Sequence, residues 1–390
     1  MAVVQLGRGK QKRVAAGHPW VFRNEVLEIR GSFQPGDIVD VVDHRGKHLG
    51  RGYINPASQI LVRILTEREE TIDREFFRRR LMAAWEHRRR FLSDTGACRV
   101  VFAEADQLPA MIVDKFGDVL VMQTLALGID RWKEDIADLL MEIIEPKGIF
   151  ERNDVPVREL EGLRQHKGFL RGEFDPRIEI RENDLKILVD IENGQKTGYF
   201  LDQRDNRRAV RPLSAGARVL DAFCHTGGFA LNAAAGGARE VVAFDISGEA
   251  VYAARDNVRR NGFEALCQVR EANAFDLLRE LERDKERFNL VVLDPPAFAK
   301  NRAALEGATR GYKEINLRAM KLIPEGGFLV TCSCSYHMSA DLFLAVVQDA
   351  ARDAHRRLRL LENRTQGLDH PIMLGADESY YLKCLVLQVL

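Results

Sequence analysis

The residues best suited to chemistry sit in the last 200 positions, each just after an apolar, strand-like run. ARVLDAF (217–223) leads into Asp221-Ala-Phe-Cys-His-Thr-Gly-Gly-Phe229. Two glycines at a strand-to-helix turn let backbone amides approach a ligand closely. The turn departs from the GxGxxG pattern, because Cys224-His-Thr fills the early glycine positions. An acidic leader suits a ligand that carries an amino group and a carboxylate better than a pyrophosphate. A second run ends in Asp245, 24 residues on, where a carboxylate can hold two ribose hydroxyls. After CQVREANAF, Asn273 can meet an adenine edge, and a further run ends in Asp294-Pro-Pro-Ala-Phe298. Each signal alone is weak, since an acidic strand end is often only solvated. Their succession describes an S-adenosyl-L-methionine site, with Asp221, Phe223, Thr226, Gly227, Gly228, Asp245, Asn273 and Asp294 as its expected contacts.

A second constellation joins Asp294 to Cys332-Ser-Cys334-Ser335. Prolines 295 and 296 stiffen the turn and fix where the Asp294 carboxylate points. A thiolate at Cys334 could perform nucleophilic catalysis. Free cysteines are often simply buried, and that reading is preferred for Cys332 and Cys267. Alternation cannot separate Cys332 from Cys334, but Cys334 lies nearer the carboxyl end of its strand. Cys224 is expected to pack beside the cofactor, and His225 is given no catalytic role. Methyl transfer needs a thiolate when the acceptor is C5 of a pyrimidine, itself a poor nucleophile. Addition at C6 makes C5 enamine-like, and loss of the C5 proton then expels the cysteine. Asp294 would bond the exocyclic amine and N3 side of cytosine. The base that takes the C5 proton is not visible in the sequence.

Two other readings stand beside this one. Asp-Pro-Pro-Ala-Phe is also a variant of the Asp/Asn-Pro-Pro-aromatic turn of amino methyltransferases, acting on guanine N2 or adenine N6 without a cysteine. The extra Ala297 departs from that turn, and Cys334 favours carbon methylation. A non-catalytic RNA-binding ribosome assembly factor with a vestigial cofactor site is the third.

These side chains need a scaffold. The runs at 217–223, 240–246, 288–294 and 327–333 alternate with amphipathic stretches such as GEAVYAARDNVRRNG, the pattern of a parallel sheet with helices on both faces. The predicted fold class is therefore α/β, with a C-terminal Rossmann-like methyltransferase domain over 186–390. Residues 1–72 read as short strands separated by turns, a small β-barrel. Residues 73–185 read as a central α+β domain that begins with a helix offering Phe76, Phe77, Leu81, Trp85 and Leu92 to one face.

Composition agrees with a folded chain. The 390 residues are 46% hydrophobic and 30% charged, which excludes disorder and fibrous classes. No apolar run nears the roughly 18 residues of a membrane helix, and MAVVQLGRGKQKR lacks the apolar core of a secretory signal. Six scattered cysteines without a CxxC pair exclude a disulfide scaffold and a standard zinc knuckle. A cytoplasmic protein with no metal and no membrane partner is expected.

The residues resemble the bacterial ribosomal RNA large subunit methyltransferase I family along nearly the whole chain. HPWVF (18–22) and PASQI (56–60) resemble its PUA domain, and ERNDVPVRELEGL (151–163) its central region. KTGYFLDQR (196–204), the most specific marker, TGGF, DPPAF, RGYKEIN (310–316) and SCS (333–335) follow in family order. The resemblance implies a Rossmann-like enzyme that makes 5-methylcytosine in 23S ribosomal RNA, with its nucleophile at Cys334. It also implies 23S ribosomal RNA or a large-subunit precursor as partner, with homodimerisation open. Asn273 stands where relatives often carry Asp, and Cys332 where an aromatic residue is common.

Net charge is zero, yet residues 1–100 hold 19 basic and 12 acidic side chains, and the remainder 39 and 46. The basic excess suits an N-terminal RNA-binding module. Arg8, Lys10, Lys12 and Arg13, with Trp20 and Phe22, could combine phosphate contacts with stacking, although Trp20 alone reads better as core. The triplets Arg78–Arg80 and Arg88–Arg90 face either RNA or solvent. A target base would have to be unstacked to expose C5 and C6.

Overall fold

A computed structural model describes residues 1–299 and 301–390. The chain forms two compact units. The first comprises Met1–Ile180, Val189–Leu201 and Leu368–Ser379; the second comprises Arg181–Leu188, Asp202–Gly367 and Tyr380–Leu390. Where the sequence pattern divides at 72 and 185, contacts thus group the barrel and the α+β region together. The reason is a shared core. Tyr53 and Leu65 of the barrel strands lie in one apolar cluster with Phe76, Phe77 and Leu81 of the following helix.

In the first unit six short strands form one sheet in the spatial order Trp20–Phe22, Ile60–Thr66, His48–Ile54, Ile38–Val42, Val3–Leu6, Val26–Arg30. Alternating Val4, Leu6, Val39, Val41 and Val62 fill its core. A five-stranded sheet follows, packed by the helices Arg74–Phe91 and Lys133–Ile144. Asp73 starts the first helix by accepting the Phe76 amide at 2.9 Å.

The basic residues of this unit are largely committed within it. Arg13 bonds Glu25 at 2.9 Å and lies over the Phe22 ring. Trp20 is half-buried, and its indole donates to Glu104 at 2.9 Å. Arg88 is fully buried: it donates to Asp106, to the Arg99 carbonyl at 2.7 Å and to the Asp369 carbonyl at 2.7 Å. It faces neither RNA nor solvent, because its guanidinium supplies the donors those buried acceptors require. Arg78 pairs with Glu142 and Arg79 with Glu70.

The second unit is built on a seven-stranded sheet: β1 (Arg218–Ala222), β2 (Glu240–Asp245), β3 (Cys267–Glu271), β4 (Leu290–Leu293), β5 (Phe328–Ser333), β6 (Leu358–Arg364) and β7 (Lys383–Val389). Its order is β3-β2-β1-β4-β5-β7-β6. The first five strands are parallel, and β7 then inserts antiparallel between β5 and β6. The helices are α1 (Gly228–Ala235), α2 (Gly248–Arg260), α3 (Ala274–Arg283), α4 (Leu305–Leu322) and α5 (Ala340–Asp353). Leu220, Ala222, Val291 and Leu293 share one apolar cluster with Leu277 of α3, Ile315 of α4 and Phe343 of α5. Alternation sends Asp221 to the other side of β1, where α1 begins.

The parallel sheet is as expected; the antiparallel β6–β7 pair is an addition to it. β5 ends at Ser333, so strand alternation does not extend to Cys334. Among the described residues no helix is long and apolar enough to cross a membrane, and no cluster of three His, Cys, Asp or Glu could hold a metal.

Candidate active site

The loop between β1 and α1 is held in an uncommon backbone conformation. Phe223 (φ 67°), His225 (φ 48°) and Gly227 (φ 86°) are all left-handed. For side chains other than glycine this costs about 1–2 kcal/mol each, so the surroundings must enforce it. They do so by hydrogen bonds. The Cys224 amide donates to the Phe244 carbonyl at 3.0 Å and the His225 amide to Asp245 Oδ2 at 2.9 Å. Asn257 donates to the Thr226 carbonyl at 3.1 Å, and Phe223 packs on the apolar cluster. Gly228 is required for space, since a Cβ there would lie 2.6 Å from Arg207 Nε, whose guanidinium is clamped by Glu182.

Asp221 is fully buried. Its Oδ2 accepts the Ala230 amide at 2.9 Å, while Oδ1 has no hydrogen-bond partner among the described residues. Burial pushes its carboxyl up to about 8; the Ala230 bond opposes that, and the charges of Asp294 and Asp245 add to it. An orphaned buried acceptor costs free energy unless a ligand supplies a donor. A cationic amine meets that need. Asp245 is half-buried, with its oxygens accepting the His225 and Ser247 amides, the latter at 3.0 Å. Each oxygen keeps a second lone pair for a ribose hydroxyl. Ile246, next in sequence, is 68% exposed and offers an apolar face beside it. Asn273 is exposed and caps α3, its Oδ1 accepting the Phe275 amide at 2.9 Å, so its Nδ2 is the group suited to an adenine nitrogen. This donor set fits S-adenosylmethionine.

The carboxyl ends of β4 and β5 come together as neighbouring strands should. Cys334 Sγ lies 3.9 Å from the Pro295 carbonyl oxygen, and the Ala299 amide donates to Ser335 Oγ at 3.2 Å. The turn containing Asp294 and the turn containing Cys334 are therefore tied together. Tyr312 of α4 braces the second turn: its buried phenol bonds Ser333 Oγ at 3.0 Å and Ser335 Oγ at 3.1 Å. Its ring packs on that of Phe298, with centroids 4.7 Å apart and planes tilted by 43°. That explains why an aromatic residue follows the two prolines and why a tyrosine sits in RGYKEIN.

The six thiols are not equivalent. Cys98, Cys224, Cys267, Cys332 and Cys384 are buried, and only Cys334 is half-exposed. Cys332 sits opposite Cys384 in the β5–β7 register, and that neighbour together with burial raises its thiol well above the ordinary value. Burial likewise raises Cys224, and it takes Cys267 to about 12. The separation that periodicity could not make is made by burial.

Asp294 is oriented by residues that the sequence reading left out. Gln203 Nε2 donates to Asp294 Oδ1 at 2.9 Å, Asn206 Nδ2 donates to Gln203 Oε1 at 2.7 Å, and Arg364 Nε donates to Asn206 Oδ1 at 3.0 Å. A guanidinium can only donate, so it sets the direction of both amides and makes Asp294 Oδ1 an acceptor. Gln203 and Asn206 lie at 203 and 206, at the end of and just past the KTGYFLDQR segment, which gives that stretch a physical purpose. Gln203→Leu should leave cofactor affinity nearly unchanged and lower turnover by about 10- to 100-fold, the loss of one bond to a charged group. Isothermal titration and single-turnover methylation check the two halves.

Comparison with known proteins agrees with this geometry. Residues 165–386 match the family model of S-adenosylmethionine-dependent methyltransferases, and residues 4–67 match a PUA-like domain. The ribosomal RNA large subunit methyltransferase I of Shewanella denitrificans is 44% identical over 99% of both chains, and that of Shewanella amazonensis 45% identical over 99% of both. A solved chain described as a SAM-dependent methyltransferase from Streptococcus mutans shares the fold across 100% of both chains, at TM-score 0.85 and 19% identity. Another, complexed with S-adenosylhomocysteine, does so at TM-score 0.86 and 19% identity, again over 100% of both chains. The chain thus joins a PUA-like domain to an S-adenosylmethionine-dependent methyltransferase domain, and it belongs to the ribosomal RNA large subunit methyltransferase I family.

Proposed function

We propose that the protein methylates C5 of a cytosine in 23S ribosomal RNA, in the cytoplasm, through a covalent adduct with Cys334. The observation that carries this reading is the single half-exposed thiol, fixed against the Asp294 turn while the other five cysteines are buried. Bound S-adenosylmethionine supplies an electrophilic methyl group. Asp221 would hold its amino group, Asp245 its ribose, and Asn273 its adenine, with Phe223, Thr226, Gly227 and Gly228 shaping the loop around it. The Cys334 thiolate adds to C6, and its electron pair forms the S–C6 bond. Asp294, held by Gln203, accepts a hydrogen bond from the exocyclic amine and so orients the ring for attack at C6. C5 then takes the methyl group, and departure of its proton returns the pair to sulfur. The PUA-like domain is proposed to hold the RNA.

Mass mapping of modified nucleosides in 23S ribosomal RNA, from cells with and without the protein, tests the reading. One 5-methylcytosine should disappear with the protein. Loss of a methylated guanine N2 or adenine N6 in its place would establish amino-group chemistry and sink the proposal.

A further inference from the structure

One buried cation close to the site has no role in the chemistry above. Lys383 opens β7 opposite Ser333 of β5 and is 2% exposed. Its Nζ donates to the carbonyls of Ser335 and Tyr381, each at 2.7 Å. Among the described residues it makes no ion pair. A buried ammonium held only by neutral carbonyls is costly and needs a counter-charge. The carbonyl it grips belongs to the residue after Cys334.

We propose that Lys383 is a positioning residue for Cys334: its ammonium, locked on the Ser335 carbonyl, holds the adjacent sulfur as a thiolate and fixes the turn that presents it. This rests on the reading of Cys334 as the nucleophile. Burial lowers Lys383 to about 8, and the Cys334 sulfur works against that lowering. The thiol proton leaves to solvent, the thiolate pair attacks C6, and the same pair returns to sulfur on elimination; Lys383 keeps its three protons throughout. Other titratable and charged groups lie on the elements around the pair. Asp294, on the turn after β4, opposes a thiolate. Tyr312 of α4 is held neutral by burial, and Cys332 in β5 by its neighbour Cys384 together with burial. Asp202 is engaged by the Tyr381 hydroxyl, and Arg364 by Glu362. Among the described residues, Lys383 is the cation whose bonds end on the cysteine turn itself.

The test is the pH profile of Cys334 alkylation by iodoacetamide in the full-length protein without RNA, read by peptide mass spectrometry. Lys383→Met should raise the midpoint by about one pH unit or more and slow alkylation near pH 7 by about tenfold. Lys383→Gln, which can still donate but carries no charge, should do the same, and Lys383→Arg should restore the profile. Turnover should fall in the first two with KM for RNA unchanged. A wild-type midpoint in either uncharged variant that retains a cooperative melt overturns the inference. Because alkylation is independent of which base is methylated, an active Cys334→Ala protein with shifted Lys383 profiles would sink the nucleophile reading alone. An inactive one with unshifted profiles would sink the Lys383 role alone.

Discussion

Cys334→Ala should lower methyl transfer by on the order of 10⁴-fold or more while S-adenosylmethionine binds with unchanged affinity. In the proposed mechanism the substitution removes the electron pair that activates C5, and none of the five buried thiols is placed to supply it. Cys332 is closest in sequence, but it is buried against Cys384, with its thiol pushed well above the ordinary value. Cys332→Ala should accordingly stay active. Rapid-quench single turnovers give the rate, and calorimetry gives the affinity. Substantial turnover by the Cys334 variant would remove the covalent adduct and revive the amino-group reading of the Asp-Pro-Pro turn.

Asp221→Asn should weaken cofactor binding by roughly 100-fold, the loss of a charged hydrogen bond in a buried site, without lowering the melting temperature. The amide oxygen still accepts the Ala230 N–H, so the local structure keeps its anchor. The carboxyl is raised to about 8 in the folded chain, against an ordinary value of 3.8. The folded state therefore holds a proton that the unfolded state releases. Its contribution to stability is complete below about pH 4 and is lost as pH rises through the folded value near 8. Asparagine removes that penalty at neutral pH, and the thermal melt should hold or rise. The same carboxyl must ionise to pair with a cationic amine. Wild-type affinity should thus increase from pH 6 to pH 7.5 with proton release, and the Asn variant should show a flatter profile. A sharp fall in melting temperature with unchanged affinity would make Asp221 a structural residue only.

The proposed cofactor half of the site was legible because its residues follow strands in local sequence. Asp221, Asp245 and Asp294 each end an apolar run, and a parallel sheet brings such ends to one edge. Cys334, the proposed nucleophile, was legible by the same rule; alternation could not separate it from Cys332, and β5 stops at Ser333. Gln203 and Lys383 were not legible. Each meets its partner across a long stretch of chain, Gln203 reaching Asp294 over 91 residues and Lys383 reaching Ser335 over 48. Neither residue type announces a role, and β7 enters the sheet by an antiparallel step that local patterning does not reveal. Arg88 failed for the opposite reason. Its two arginine neighbours suggested a solvated basic face, while a buried Asp106 and two carbonyls required a donor inside.

The path of the chain between its two units has a consequence for synthesis. The polypeptide passes from one unit to the other five times, and the first unit is completed only by Leu368–Ser379. Asp369 accepts the Arg99 amide at 3.0 Å, and its carbonyl accepts from Arg88, so two anchors of the N-terminal half arrive 270 and 281 residues after their partners. Folding cannot be vectorial. The N-terminal unit emerges from the translating ribosome unfinished and closes only once Leu368–Ser379 has been made, so truncation before Leu368 should leave it open.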